Sequence, residues 1–330
     1  MHRILARIRH LAVALIAFVA GSAAAAEPLT IGYSDYVSYT AWEIAIHKGW
    51  FKEAGVDVSF IWFEYAPSME AFQAGKIDGV NVASSDQLVM AGAGKKANKA
   101  ILITDYTDGN DMVIAKPGIT SLAGLKGKKI GVEVGLVDHL LLLEALKKGG
   151  LTPTDVELVN MVTTDTPQGL ASGSVDAVAC WQPNANATLK LVPGSKPLFT
   201  SADVPGLIYD VLVVSDESLM QRRADWVKVC AVWGRVVAFI GDAKNLDEVG
   251  AIMGGRNGLD AKTAISFLPG SKLHTLAENK AALVLGGTGP GTLFGSHLIS
   301  DAFNRSVQIY EQPLDAKTLI DGSLVGELVK

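Results

Sequence analysis

Apolar positions along the chain follow two different periods. Runs rich in β-branched and aromatic residues, such as residues 29–33 and 56–63, are typical of buried β-strands. Between these runs, as in residues 40–51, apolar residues recur every three or four positions, which indicates amphipathic helices. Strands that alternate with helices in this order predict an α/β fold, whose strands pair in parallel through right-handed βαβ connections.

This order of elements occurs twice. Residues 72–80 and 170–178 both indicate a helix end, a turn glycine and a buried strand. Their aspartates, Asp78 and Asp176, lie 98 positions apart, as do their glycines, and we expect both pairs to serve the scaffold. A repeat of a whole supersecondary unit predicts two similar doubly wound βαβ lobes, and a chain of 330 residues is long enough for two domains.

Two segments are expected to cross between the lobes. Residues 101–114 indicate one strand that leaves the first lobe and another that enters the second, and residues 205–214 indicate the return. A pair of crossings of this kind makes a two-segment hinge. The first lobe is therefore predicted to comprise residues 27–107 and 210–330, and the second lobe residues 108–209.

The first 26 residues have the pattern of a cleavable secretion signal. Three arginines precede an apolar run at residues 11–20, and small residues follow at 24–26. Because the apolar run is shorter than the roughly 20 residues that cross a bilayer, we expect a mature periplasmic protein that is not inserted in the membrane. Without residues 1–26 the chain has 26 basic and 34 acidic residues, a formal charge of −8, which does not suit a nucleic-acid partner.

Few side chains are arranged for catalysis or metal binding. The two cysteines, Cys180 and Cys230, are isolated from each other in a strand-like run and a helical pattern, so we expect buried free thiols rather than a disulfide. Two such cysteines and scattered histidines do not build a metal cluster, and no Ser/His/Asp or Cys/His set is grouped in the loops. The sequence therefore predicts a binding protein without metal or cofactor, and not an enzyme.

Three segments, residues 45–58, 122–132 and 173–178, resemble the substrate-binding proteins of ABC importers. The similar proteins form the NMT1-like group, which serves sulfonates, taurine, nitrate and thiamine precursors, and the resemblance covers essentially the whole mature chain. It implies a periplasmic-binding-protein type II fold and a monomer that delivers a small ligand to a membrane permease and its ATPase.

A narrower similarity is to the branch encoded beside urea carboxylase and allophanate hydrolase genes. It implies a small nitrogen-rich ligand, guanidine or urea, taken up as a nitrogen source. The segments that carry this similarity are residues 31–35, 110–113, 132–135, 137–140, 181–184 and 206–210.

Ligands of open parallel sheets bind beyond the carboxyl ends of the strands, and nearly every loop predicted there holds a carboxylate. A carboxylate at 4 Å from an anionic ligand would cost about 4 kcal/mol at an effective dielectric constant near 20. The acidic loops therefore predict that the ligand is a cation or a neutral molecule with several hydrogen-bond donors. Guanidinium is such a cation, since it pairs with carboxylates and stacks on aromatic rings, and urea is such a neutral molecule. The candidate ligand-binding residues are Asp35, Trp42, Glu64, Tyr65, Ser85, Asp86, Asn110, Asp111, Glu133, Asp138, Trp181, Tyr209 and Asp210.

Several of these residues have alternative uses. Asp86 precedes a helix, where aspartate is a common cap, Trp42 could belong to the core, and Asp111 and Asp210 could hold the hinge. If the acids turned away from the cleft, the same importer would suit an anionic sulfonate, taurine or nitrate, or a pyrimidine precursor of thiamine. A remote alternative is an enzyme similar to the thiamine-pyrimidine synthases of this fold, whose cysteine-rich motif is absent here.

Overall fold

The computed structural model describes residues 27–329, so the secretion signal predicted for residues 1–26 lies outside the described residues. Within residues 27–329 eleven strands form two separate sheets. In chain order the strands are β1 (Leu29–Tyr33), β2 (Val58–Trp62), β3 (Gly79–Ala83), β4 (Asn98–Thr107), β5 (Asp111–Ala115), β6 (Lys129–Val132), β7 (Glu157–Asn160), β8 (Ala177–Trp181), β9 (Lys196–Thr200), β10 (Tyr209–Ser215) and β11 (Ser271–Leu273).

Each sheet has a parallel half and an antiparallel half. The first sheet has the order β11-β4-β10-β3-β1-β2, and the second has the order β7-β6-β8-β5-β9. The predicted parallel pairing holds for β1 with β2 and β3, and for β6 with β7 and β8. Strands β10 and β5, which follow the two crossings between the sheets, run antiparallel to β3 and β8. The starts of these two strands therefore lie at the same sheet edges as the carboxyl ends of the parallel strands.

The helices cover the faces of the sheets. The helices are α1 (Val37–Thr40), α2 (Trp42–Lys48), α3 (Trp50–Glu53), α4 (Tyr65–Gln73), α5 (Ser84–Gly92), α6 (Val137–Lys148), α7 (Thr166–Ser172), α8 (Asn184–Leu191), α9 (Asp216–Gly241), α10 (Leu246–Asn257), α11 (Ala261–Phe267), α12 (Leu276–Ala282), α13 (Leu293–Ser306) and α14 (Ser323–Leu328).

The single helix predicted for residues 40–51 is divided into three short helices. Gly49 ends α2 in the left-handed conformation with φ of +68°, which glycine adopts without steric cost. The helices after β10 pack on elements of the first sheet, with α9 against β4 and β10, α13 against α5 and α10 against α2. The carboxyl-terminal third of the described chain thus packs mainly on the first sheet and its helices.

Trp42, a predicted wall of the cleft, lies instead in the core of the first lobe. Its side chain is fully buried, and its ring contacts those of Phe51, Phe60 and Trp233, with ring centroids 4.7–6.0 Å apart. The indole N–H donates to Asn81 Oδ1 at 3.1 Å. The prediction for Trp42 is wrong because the first turn of α2 faces the sheet, where the indole finds both aromatic contacts and an acceptor.

The repeated aspartates tie neighbouring strands together at the amino ends of the sheets. Asp78 Oδ2 accepts hydrogen bonds from the backbone N–H and the hydroxyl of Thr30 at 2.9 and 2.8 Å. Asp176 accepts from the backbone N–H of Lys129 at 3.0 Å and from the Lys116 ammonium. Their predicted role in the scaffold is confirmed.

Both cysteines are free and buried, as predicted. Burial raises the pKa of the Cys230 thiol to about 12 and raises that of Cys180 as well. Within residues 27–329 no helix combines the length and the hydropathy that a membrane span requires. The same residues contain no group of three or more histidine, cysteine or acidic side chains arranged to hold a metal ion.

Candidate ligand-binding site

A small enclosed cavity lies between the two sheets, at the edges where the parallel strands end. Its volume of about 10 Å³ is the space that one water molecule needs. Both lobes contribute to its walls. The lining residues are Tyr36, Tyr39, Tyr65, Ala83, Asp111, Val137, Trp181, Ile208 and Asp210. Three grooves of about 500–580 Å³ elsewhere on the protein are open at the surface. None of the acids described below as surrounding the cavity lines these grooves.

Two aspartates face this cavity from the crossings between the lobes. Asp210, at the start of β10, accepts a hydrogen bond from the Tyr39 hydroxyl through Oδ1, while its Oδ2 has no donor in the described part of the chain. Asp111, at the start of β5, accepts from the Thr107 hydroxyl. Each is about 3% exposed, so neither carboxylate is solvated by bulk water.

A third acid, Asp105, lies opposite Asp210 in the pairing of β4 with β10. Its Oδ2 accepts a long hydrogen bond of 3.4 Å from the Tyr36 hydroxyl, and its Oδ1 has no donor among residues 27–329. The carboxyl groups of Asp105 and Asp210 lie within hydrogen-bond reach of each other. Two carboxyl groups can make such a bond only if one proton is shared between them.

Three further carboxyl groups lie behind the cavity wall. Asp86 accepts from the Tyr65 hydroxyl at 2.6 Å, from Ser85 Oγ at 3.0 Å and, across the cleft, from the backbone N–H of Val137 at 3.3 Å. Both oxygens of Asp138 and Oε2 of Glu133 have no donor in the part of the chain that the structure describes. All three side chains are buried.

Burial raises the pKa of every one of these six carboxyl groups. For Asp86, Asp111 and Glu133 the pKa rises to about 7. The pKa values of Asp105, Asp138 and Asp210 are raised as well, first by burial and then, for Asp138 and Asp210, by the negative charge of neighbouring acids.

Among residues 27–329 no lysine or arginine forms an ion pair with any of these six carboxyl groups, and His274 is the one basic side chain that acts on them, by lowering the pKa of Asp105. The buried carboxylates that pair with arginine, Glu43 and Asp301, lie outside the cavity. Buried carboxylates without a counterion are costly. The cavity is therefore complementary in charge to a cation.

Asp35, a predicted ligand contact, uses both carboxylate oxygens to reach the opposite lobe. Oδ1 accepts from Trp181 Nε1 at 3.0 Å, and Oδ2 accepts from Asn184 Nδ2 at 2.7 Å. Trp181 itself lines the cavity beside Tyr65, with their rings in a T-shaped arrangement and centroids 4.9 Å apart. The structure thus places Trp181 and Tyr65 at the cavity and Asp35 behind the tryptophan.

Two predicted site residues point away from the cavity. Tyr209 donates its hydroxyl to the Pro290 carbonyl at 3.1 Å and packs in an outer groove, and Asn110 donates to the Phe267 carbonyl at 2.9 Å and to Ser271 Oγ at 3.0 Å. Both predictions are wrong for the same reason. Consecutive residues of an extended chain point to opposite sides, so the neighbouring aspartates take the positions that face the cavity.

The other predicted residues lie at the margin of the cavity. Ser85 donates to Asp86, and Glu64 is exposed at the mouth of the cleft, where its one side-chain hydrogen bond within residues 27–329, from Thr164 Oγ1, is 3.4 Å long. Sequence analysis missed Tyr36, Tyr39 and Asp105. The tyrosines are spaced by three residues, as on one helix face, and Asp105 interrupts an apolar strand, where a buried acid is rare.

Two α/β lobes, joined by two crossings and enclosing a cavity lined by both, define the type II periplasmic-binding-protein fold, and the predicted fold class is confirmed. The periplasmic aliphatic sulphonate binding protein SsuA from Escherichia coli has this fold, with a TM-score of 0.73 and 21% sequence identity over 92% of this chain and 100% of that one. Residues 38–232 match the family described as NMT1/THI5 like, and the chain belongs to this family.

Two curated relatives match over part of their length. A provisionally named binding protein of Brucella abortus (strain 2308) is 29% identical over 221 residues, which are 66% of each chain and so just under two thirds. The taurine-binding periplasmic protein of Escherichia coli (strain K12) is 28% identical over 184 residues, which are 55% of this chain and 56% of that protein.

Proposed function

We propose that this chain is the solute-binding component of an ABC importer. It captures a small ligand between its lobes, residues 27–107 with 210–330 and residues 108–209, and delivers it to a membrane permease and its ATPase. Membership of the NMT1/THI5-like family, relatives named as binding proteins and a cavity lined by both lobes support this role. Export to the periplasm by the signal in residues 1–26 belongs to the same proposal. A ligand that contacts both lobes stabilises the closed form, which the permease then recognises.

The ligand we propose is a small cation or neutral molecule rich in N–H groups, namely guanidinium or urea. One observation carries this choice: Asp111 and Asp210 face the cavity between the lobes without a basic partner in residues 27–329. Because the cavity has room for only one water molecule, the lobes must separate slightly to hold a ligand of four heavy atoms. The planar N–H edges of guanidinium pair with carboxylates, and its faces stack on aromatic rings, of which the cavity offers Trp181 and Tyr65. The branch associated with urea carboxylase, suggested by short segments of the sequence, is part of this proposal.

The names of the relatives favour a different ligand. They include binding proteins for taurine and for aliphatic sulphonates, which supports the anionic alternative better than guanidine or urea. One observation makes this second candidate chemically feasible: the pKa of Asp111 is raised to about 7, and a protonated carboxyl group can donate a hydrogen bond to a sulfonate oxygen.

The positive end of a helix, which commonly binds anions, is already occupied here. Helix α6 begins at Val137 on the cavity wall, and its first N–H group donates to Asp86 rather than into the cavity. An anion would therefore have to displace Asp86 or rely on protonated acids. The geometry favours the N–H-rich ligand, while the relatives favour the anion, and the two candidates respond to pH in opposite directions.

Calorimetric titration of the mature protein separates the candidates. The ligands are guanidinium chloride, urea, taurine and sodium nitrate, each at pH 6 and pH 8, with sodium chloride as the control for ionic strength. We expect guanidinium to bind more tightly than urea and to bind better at pH 8, where the acids are charged. A protein that binds taurine or nitrate, but not guanidinium, and binds it better at pH 6 overturns the proposed ligand and supports the anionic one.

A further inference from the structure

Asp35 connects the two lobes at the rim of the cavity. It follows β1 in the first lobe, and its backbone carbonyl accepts from Asn257 Nδ2 at 2.9 Å, so the first lobe holds its main chain. Among residues 27–329 its side chain is hydrogen-bonded only to the second lobe, through Trp181 at the end of β8 and Asn184 at the start of α8. Both oxygens are thereby occupied, and Asp35 is not among the residues that line the cavity.

These contacts determine the orientation of Trp181. An indole has a single hydrogen-bond donor, so the 3.0 Å bond from Nε1 to Asp35 fixes the direction of the ring plane. The same ring is 3% exposed and contacts Tyr65 of the first lobe. Trp181 is therefore held by two first-lobe side chains, one at its polar edge and one beside its face.

We propose that Asp35 is a positioning residue for ligand capture: from the opposite lobe it holds Trp181 in the orientation that closes the cavity over the ligand. This assignment rests on the proposed function, because it assumes that the ligand occupies this cavity. It gives Asp35 a different role from Asp111 and Asp210, which face the ligand. Since the bonds from Asp35 span the cleft, they form only when the lobes are close together.

The indole N–H signals of the protein in NMR spectra test this role. The chain has six tryptophans, and Trp181→Phe identifies the Trp181 signal by its loss. Asp35→Asn replaces one of two acceptor oxygens by a donor at nearly constant size, and Asp57→Asn, at an exposed aspartate, is the matched control. The probe is guanidinium chloride, with taurine as the second ligand.

In the unmodified protein and in Asp57→Asn we expect saturating guanidinium to shift the Trp181 signal and to slow its exchange with solvent. Asp35→Asn, which keeps one neutral acceptor for the indole N–H, should reduce the slowing and weaken guanidinium binding about tenfold, roughly the value of one charge-assisted hydrogen bond. Trp181→Phe should weaken guanidinium binding by a similar factor, and the double variant should bind only slightly more weakly than either single variant. An Asp35→Asn protein with unchanged affinity and an unchanged Trp181 signal at saturation overturns the proposal.

Failure of the proposed ligand is a separate outcome. If taurine binds and guanidinium does not, the unmodified protein and Asp35→Asn are compared in saturating taurine. That comparison then tests the positioning role of Asp35. If neither ligand binds, the proposed function fails. The spectra of the ligand-free proteins then test whether Asp35 contacts Trp181. A Trp181 signal that Asp35→Asn moves then supports the contact, and identical spectra contradict it.

Discussion

Aspartates at the two ends of the parallel strands have opposite surroundings. At the amino ends, Asp78 and Asp176 accept hydrogen bonds from backbone N–H groups, and the bonds from Lys116 and Lys129 hold the pKa of Asp176 below its ordinary value. At the other ends, Asp111 and Asp210 are buried beside other acids, and their pKa values are raised. The first pair stabilises the fold. Burial of the second pair lowers the free energy of unfolding of the ligand-free protein when the acids are charged. A ligand that supplies N–H groups or positive charge would offset this loss.

The largest effect we expect is a loss of stability of the ligand-free protein as pH rises. The pKa values of Asp86, Asp111 and Glu133 rise on folding from their ordinary values near 4 to about 7, so the folded protein binds more protons than the unfolded chain between these limits. Stability is then highest below the ordinary values and decreases as pH rises through 7. One extra proton retained on folding gives about 1.4 kcal/mol per pH unit, or about 3 kcal/mol between pH 5 and pH 7.

Thermal unfolding measured by calorimetry at several pH values checks this slope, and saturating guanidinium at millimolar concentration should flatten it. Asp176 makes the opposite contribution, because its lowered pKa gives stability that is lost only as pH falls below its ordinary range. A free energy of unfolding that rises between pH 5 and pH 7 would show that the buried acids are not the dominant groups.

The next largest effect is expected for Asp210→Asn. The asparagine keeps an acceptor for the Tyr39 hydroxyl but removes the charge that faces the cavity. Loss of one partner of a buried, hydrogen-bonded charge pair costs about 2–5 kcal/mol, so we expect guanidinium to bind at least about 30-fold more weakly. The ligand-free protein should become more stable at pH 8, since an uncompensated buried carboxylate has been removed.

Calorimetry and thermal unfolding of the same samples measure both changes, with the exposed Asp57→Asn as the control. The combination of weaker binding with higher stability is specific to a cavity acid. An Asp210→Asn protein that is less stable and binds guanidinium normally would instead assign Asp210 to the hinge.

The sequence was sufficient for the two lobes and for five of the six acids around the cavity, because strand ends and loop composition are local properties. Asp105 was missed because it lies within a strand and not in a loop. The repeat of Asp78 at Asp176 predicted the lobes, and the cleft acids follow from where the strands end. The direction of a side chain was harder to predict. Tyr209 precedes Asp210 by one position, so an error of one residue in register exchanges the side chain that faces the cavity for the one that faces away. Trp42 was misplaced because the first turn of α2 turns toward the sheet, which only the packed structure shows.

A smaller effect, confined to stability, is expected at the amino ends of the strands. Asp176→Asn keeps one acceptor for the Lys129 N–H but removes the charge-assisted bonds, which should lower the free energy of unfolding by about 1–2 kcal/mol. Guanidinium affinity should stay within about twofold, because the substitution is at the far end of the sheet. Lys116→Gln, which breaks only a partly exposed ion pair, should cost less than about 1 kcal/mol. Equal losses in the two variants would assign the effect to the ion pair and not to the backbone bond.

The smallest effect is expected for Glu64→Gln at the mouth of the cleft. Glu64 is exposed, and its one side-chain hydrogen bond in the described part of the chain, from Thr164, is 3.4 Å long, so water solvates the carboxylate and screens its charge. We expect less than a twofold change in guanidinium affinity, compared with at least about 30-fold for Asp210→Asn, and a small decrease in the association rate that disappears at high salt. Stopped-flow binding at low and high ionic strength measures both. If Glu64→Gln weakened binding as strongly as Asp210→Asn, the ligand would have to extend from the cavity to the rim, which would require a molecule larger than guanidinium.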